Sequence, residues 1–119
     1  MAKRGERYIV YCKKAVLAYT DTVQKKLFTL PENSIPIGVD IFTAATATSG
    51  TIDIGTLSDD DLFVAALDVS VVGMSPATLL SVAELTKMTD IFGLQAGASA
   101  GGPFTIFFRY INLRTTRVV

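Results

Sequence analysis

Histidine and tryptophan are absent from these 119 residues, and cysteine occurs once. Without histidine, Ser-His-Asp and Cys-His nucleophile arrangements, histidine-bearing zinc sites and the commonest general base are all excluded. A single cysteine builds no internal disulfide framework, which fits a reducing compartment or a fold that needs no staples. Cys12 lies in an apolar alternation with no imidazole to activate it, so it reads as a buried core residue and not a nucleophile. Missing tryptophan also weakens any sugar-stacking role, because the remaining aromatics concentrate in strand-like segments.

Long apolar runs are missing too. The start, MAKRGERYIV, has basic residues but no apolar stretch of about seven before charge returns at Lys13, so a secretory signal is not expected. The longest uncharged stretch, Ile91 to Phe108, is broken by Gly93, Gly97, Gly101, Gly102 and Pro103, which suits a loop and not a membrane helix. Those glycines lack the Gly-Lys-Ser/Thr ending of a phosphate loop and the Gly-x-Gly-x-x-Gly of a dinucleotide fold. No cofactor is expected.

Charge is scarce and sorted. Charged residues make up 18% of the chain, against a typical value of about 25%, while hydrophobic residues make up 50%. So much apolar material on a single small domain predicts subunit interfaces. The formal net charge is zero, yet Lys3, Arg4, Arg7, Lys13, Lys14, Lys25 and Lys26 face only Glu6 and Asp21 in residues 1–26. Residues 27–108 reverse the sign, with Lys87 alone against nine acids, and Arg109, Arg114 and Arg117 close the chain. Basic ends on an acidic body suit docking to complementary protein surface or to further copies of the chain. Nucleic acid is disfavoured, since the acidic body repels phosphates.

The periodicities are those of strands. Ile35, Ile37, Val39 and Ile41 alternate with Pro36, Gly38, Asp40 and Phe42, the pattern of a half-buried strand. Ala15 to Tyr19 and Val23 to Leu30 read as a hairpin turning at Thr20-Asp21-Thr22, and Pro31 to Ser34 as the next turn. Thr51 to Gly55, Thr89 to Leu94 and Phe104 to Leu113 read as further strands, with Val69 to Val72 and Leu79 to Val82 short apolar pieces broken by Gly73 and Pro76. Ser58, followed by Asp59, Asp60 and Asp61, predicts one short capped helix through Leu67. The expected fold is all-β, a jelly-roll-like β-sandwich with one short helix. Residues 1–22 form a basic N-terminal arm with the first strand, residues 23–119 the sandwich, and the whole is one domain.

Two strands are apolar on both faces. Phe104, Ile106, Phe108 and Tyr110 oppose Phe107 and Ile111, and Tyr8, Val10 and Cys12 oppose Ile9 and Tyr11. Phe107 and Ile111 are therefore candidate contacts with another subunit, unless the chain's own helix or a loop covers them. Lys3, Arg4, Arg7, Lys13 and Lys14 are the charged candidates for the same role. The Asp59-Asp60-Asp61 run with Asp53 is the one constellation that raises a metal, but it lacks the alternation of a calcium loop, and the helix-cap reading is preferred. A two-carboxylate glycosidase is formally open, though nothing pins a pair together.

The turn Leu30 to Ser34, the strand from Ile35, the motif Thr51-Ile52-Asp53-Ile54-Gly55-Thr56, the acidic turn with Phe63, and a glycine-rich loop feeding a strand ending in Arg109-Tyr110 follow in a telling order. Over residues 23–113 this order resembles small virion proteins of tailed bacteriophages, in particular capsid decoration, or cement, proteins. The basic segment before Val23 lies outside the resemblance. The resemblance implies a homotrimer, made in the host cytoplasm, that sits on the outer surface of the phage head and clamps neighbouring major capsid subunits, with no enzymatic activity and no nucleic-acid or membrane partner. The alternative is a receptor- or glycan-binding sandwich of the tail or fibre.

Overall fold

The computed structural model of the protein describes residues 6–46, 49–98 and 100–118, with side chains described from Ile9 in the first strand and up to Arg114 in the last. Eight strands follow one another: β1 (Glu6–Leu17), β2 (Lys25–Leu30), β3 (Ser34–Thr43), β4 (Thr51–Gly55), β5 (Val64–Asp68), β6 (Gly73–Ala77), β7 (Thr89–Ala96) and β8 (Phe104–Val118). They form two four-stranded sheets, ordered β1-β8-β3-β6 and β2-β7-β4-β5. Pairing spreads outward from the β4–β5 hairpin, through β3 with β6 and β2 with β7, to β1 with β8, every pair antiparallel. One long ribbon is thus rolled into two layers, the arrangement of a jelly roll.

Burial follows the strand period. Phe104, Ile106, Phe108 and Tyr110 of β8 face inward, as the alternation predicts, against Ile91 of β7 and Ile52 and Ile54 of β4. Phe108 sits edge-on to both Phe28 and Phe63, with ring centroids 5.4 and 5.7 Å apart. Buried Gln95 joins two connections: its Nε2 donates to the Tyr19 carbonyl at 2.5 Å and its Oε1 accepts from the Ala98 N–H at 2.7 Å. Backbone groups in the β1–β2 and β7–β8 loops are paired in this way without a ladder.

Four expectations need correction. There is no helix among the described residues; the acidic run belongs to the β4–β5 connection, where Thr56 N–H donates to the Asp59 carbonyl at 2.8 Å and Phe63 N–H to the Ile54 carbonyl at 2.9 Å. The turn backbone lies directly over Gly55, where a Cβ would collide with Asp59 and Asp60. Tertiary hydrogen bonds and burial of Phe63 override a local capping signal too short to propagate. Second, β1 and β2 are no hairpin, because the Thr20 to Thr22 segment carries the chain from one sheet to the other. Third, β6 contains the supposed breakers Gly73 and Pro76. It is an edge strand, where a missing N–H costs no ladder bond.

The fourth correction concerns β3. Ile37 is an extra residue, since Pro36 stands opposite Tyr110 and Gly38 opposite Arg109. This bulge inverts the alternation halfway: Ser34 and Pro36 face inward before it, Val39, Ile41 and Thr43 after it. Ile35 and Ile37, expected on the core face with Val39 and Ile41, instead join the outer side, Ile37 being 44% exposed.

Candidate functional site

Register places the outward residues of β1, β8, β3 and β6 in rows. Val10, Ile111 and Ile35 make the first, and Cys12, Arg109 and Gly38 the second. Lys14, Phe107, Asp40 and Pro76 make the third, and Val16, Thr105, Phe42 and Met74 the fourth. Phe107 and Ile111 are half-buried within this outer face, while Val10, Val16, Phe42 and Met74 are 57, 44, 38 and 55% exposed. At its centre the Arg109 guanidinium lies across Gly38 and pairs with Asp40. Any Cβ at position 38 would strike that guanidinium, so the glycine lets the arginine lie flat and keeps the apolar rows level.

Sequence reasoning finds Phe107 and Ile111 on this face, and its alternation puts Phe42 there too, but it misses Ile35, Ile37, Met74 and the Arg109–Asp40 pair. The available signal was Pro36-Ile37-Gly38, because proline and glycine inside one strand mark a bulge. Cys12 is exposed on the same face, a correction to the expected core cysteine: β1 is an edge strand whose Tyr11, not Cys12, turns inward to Tyr110. Lys14 is exposed on the outer face, whereas Lys13 sits in the inward register opposite Phe108 and is half-buried. Arg7 stands opposite Arg117 in the β1–β8 ribbon, and Lys3 and Arg4 lie outside the described residues.

β1 and β2, each the edge of its sheet, carry Lys13, Lys14, Lys25 and Lys26. Lys25 reaches Asp21 at 3.5 Å and Lys26 reaches Asp90 at 3.4 Å. Residues 51–77 hold Asp53, Asp59, Asp60, Asp61 and Asp68 and no cation, but the acidic turn lies over Gly55, in the row of Phe92 and Lys26, and Gln24 Nε2 donates to the Thr56 carbonyl at 3.1 Å, so that turn stands near the lysines of β2.

The carboxylates of Asp59, Asp60 and Asp61 lie within 4.8 Å of one another, all exposed. A hydrogen bond with the Asp61 side chain, then loss of hydration and the neighbouring negative charge, raises the Asp59 carboxyl above its ordinary value. Asp53, the fourth candidate ligand, is engaged elsewhere: its Oδ1 accepts from the Ala66 N–H at 2.6 Å. Ala65 and Ala66 form a bulge opposite Asp53, with Ala66 at φ 49°, and the carboxylate satisfies the amide the bulge frees. The geometry therefore joins Asp53 to the β5 backbone and not to the acidic turn.

Among the described residues, two open clefts of about 410 Å³ each are well defined. One is lined by Tyr11, Pro31, Glu32, Tyr110, Asn112 and Arg114. The Tyr11 and Tyr110 rings stack on each other at 5.3 Å, and Tyr110 is 5% exposed. That leaves one half-buried ring at the cleft, less than the exposed platform that sugar stacking uses. The other lies between the acidic turn and β7, lined by Leu57, Met88 and Phe92 among others.

No protein-family profile matches the sequence, and no curated protein matches it either. Solved structures do. The chain resembles one in the cyanophage Pam1 capsid asymmetric unit, with a TM-score of 0.69 and 19% identity over 94% of this chain and 91% of that one. It also resembles a chain in the acidic stable capsid structure of Helicobacter pylori bacteriophage KHP30, with a TM-score of 0.72 and 12% identity over 97% and 98% of the two chains. At these identities the likeness is one of fold.

Proposed function

We propose that this chain is a structural, non-enzymatic protein of a bacteriophage virion, a decoration or cement protein on the outer surface of the head that reinforces contacts between major capsid subunits. The observation that carries the reading is the nearly end-to-end likeness in fold to chains of two phage capsids. The apolar outer face of the β1-β8-β3-β6 sheet supplies the surface such a role needs, and the coat shell is its proposed occupant. Four strands about 4.8 Å apart, each with about eight residues rising about 3.3 Å, give a face of roughly 500 Å². A standard interface takes about 800 Å² from each partner, so one copy alone would dock weakly. A homotrimer that presents three such faces together overcomes that deficit, because linked contacts raise the effective concentration of the second and third. Phe107 and Ile111 lie in this face, and the arm with Lys3, Arg4 and Arg7 is a second, salt-sensitive tether to acidic coat surface.

Co-sedimentation with heads prepared without the protein tests this reading, together with gold-labelled antibody on intact virions. Saturable binding to heads and label on the head surface are expected, with weaker binding at raised salt after removal of residues 1–7. Label confined to tails, or no binding to heads, would refute it.

A further inference from the structure

We propose that Arg109 is the specificity-determining residue of the outer face, and that it reads a carboxylate, an aspartate or glutamate of the coat shell set among apolar residues. The inference rests on the docking role proposed above and names the chemistry of the partner surface. Apolar rows lie on both sides of this one cation: Val10, Ile111 and Ile35 before it, then Phe107 with Pro76, and beyond them Val16, Phe42 and Met74. A long cationic side chain ordinarily lays its stem on such a surface and lifts its head into water. Here the head itself lies down. Gly38 makes the place for it, since any Cβ there would overlap Nη2 and crowd Cζ and Nε, and Asp40 anchors Nη1. The Arg109 side chain is still 38% exposed, so the guanidinium is fixed in position yet open to a partner.

The bond to Asp40 leaves most of the guanidinium unused. Arginine has N–H donors on Nε, Nη1 and Nη2, and among the described residues no acceptor serves Nε or Nη2. Water satisfies them while the face is open. Docking expels that water, and a charged donor buried without a partner is strongly destabilising, so the occupant must bring an acceptor. Charge decides which kind. The outward rows of β1, β8, β3 and β6 hold Lys14 and Arg109 against Asp40 alone, two cations to one anion, which favours a carboxylate over a carbonyl or hydroxyl. A guanidinium also grips a carboxylate through two parallel bonds, fixing orientation as well as sign. A wholly apolar or basic partner surface would leave Arg109 unanswered, and the face rejects it on that ground.

Co-sedimentation of purified variants with heads prepared without the protein tests this, with thermal unfolding measured alongside. Arg109→Gln and Asp40→Asn break the same ion pair, so their Tm values should fall by similar, small amounts. Head binding should separate them. Arg109→Gln should bind more than about tenfold more weakly, whereas Asp40→Asn should bind as tightly as the wild type or more so, because it removes the one negative charge of the face. Arg109→Lys can keep the pair with Asp40, and hence the fold, but loses the two-bond grip and should still bind several-fold more weakly. Equal losses of binding in Arg109→Gln and Asp40→Asn would mean that the pair only braces the sheet, and would overturn the proposal. Undiminished binding by Arg109→Gln or Arg109→Lys would overturn it too and leave the cement reading standing, while a wild type that fails to bind heads would remove both.

Discussion

Replacing Asp53 with alanine removes an acceptor from a backbone amide that has no ladder partner. The Asp53 Oδ1 to Ala66 N distance is 2.6 Å, and the bulge leaves no neighbouring strand to take over. Hydrogen bonds to charged groups contribute about 1.5 to 3 kcal/mol, and partial exposure places this one near the lower bound, about 1.5 kcal/mol. In a domain of this size that corresponds to a fall in Tm of roughly 6 °C. Asp53→Asn keeps an oxygen in place and should lose less than half as much. Ala66→Gly relieves a left-handed conformation that costs a non-glycine residue about 1 to 2 kcal/mol, offset by the unfolded-state freedom glycine adds. It should be neutral or stabilising by about 0.5 kcal/mol, and should couple to Asp53→Ala in a double-mutant cycle by urea denaturation. The reasoning fails if Asp53→Ala leaves the urea midpoint unchanged. It fails equally if millimolar calcium raises the wild-type Tm by many degrees but not that of Asp53→Ala, for the carboxylate would then be a metal ligand.

Gln95→Leu should cost about 2 to 4 kcal/mol, because it strands the Tyr19 carbonyl and the Ala98 N–H in the interior; thermal unfolding measures it. Met74→Asp, at a 55% exposed position of an edge strand, should change Tm little yet weaken binding to heads by more than tenfold, since docking would desolvate the new charge; unchanged binding in co-sedimentation would remove the outer face from the mechanism. Carboxyl NMR should find Asp59 titrating above Asp68 and Asp90, with Asp61→Asn lowering Asp59. The signs for stability then differ. The Ser70 hydroxyl and N–H hold Asp68 below 3.8 and the Thr29 hydroxyl, then Lys26, holds Asp90 there, so their contributions are present above 3.8 and lost as pH falls through the folded values. Asp59 acts oppositely, its contribution present below 3.8 and lost as pH rises through its raised value.

Residue order alone discloses the all-β class of the fold and the separation of charge along the chain. Strand identity was legible wherever one face is buried, because a period of two needs only a few residues to declare itself: Thr51 to Gly55 and Phe104 onward stand where the alternation places them. Phe107 and Ile111 were legible as outward apolar residues for the same reason. Local pattern could not decide what depends on distant partners. The acidic run satisfies the rules of a helix start, but its backbone bonds go to Thr56 and Ile54 across a hairpin, so the cap never receives a helix. A single inserted residue, Ile37, inverts the faces of β3, and only pairing with β8 reveals which residue is extra. Cys12 and Tyr11 exchange roles because β1 takes its register from β8. Charge along the chain was equally plain as composition, yet its meaning is spatial: rolling the ribbon sets Lys26 of β2, Phe92 of β7 and Gly55 of β4 in one row, with the acidic turn over Gly55. Basic and acidic segments far apart in the chain become neighbours only once the register of β2, β7 and β4 is fixed in three dimensions, and no order of residues states how close folding will bring them.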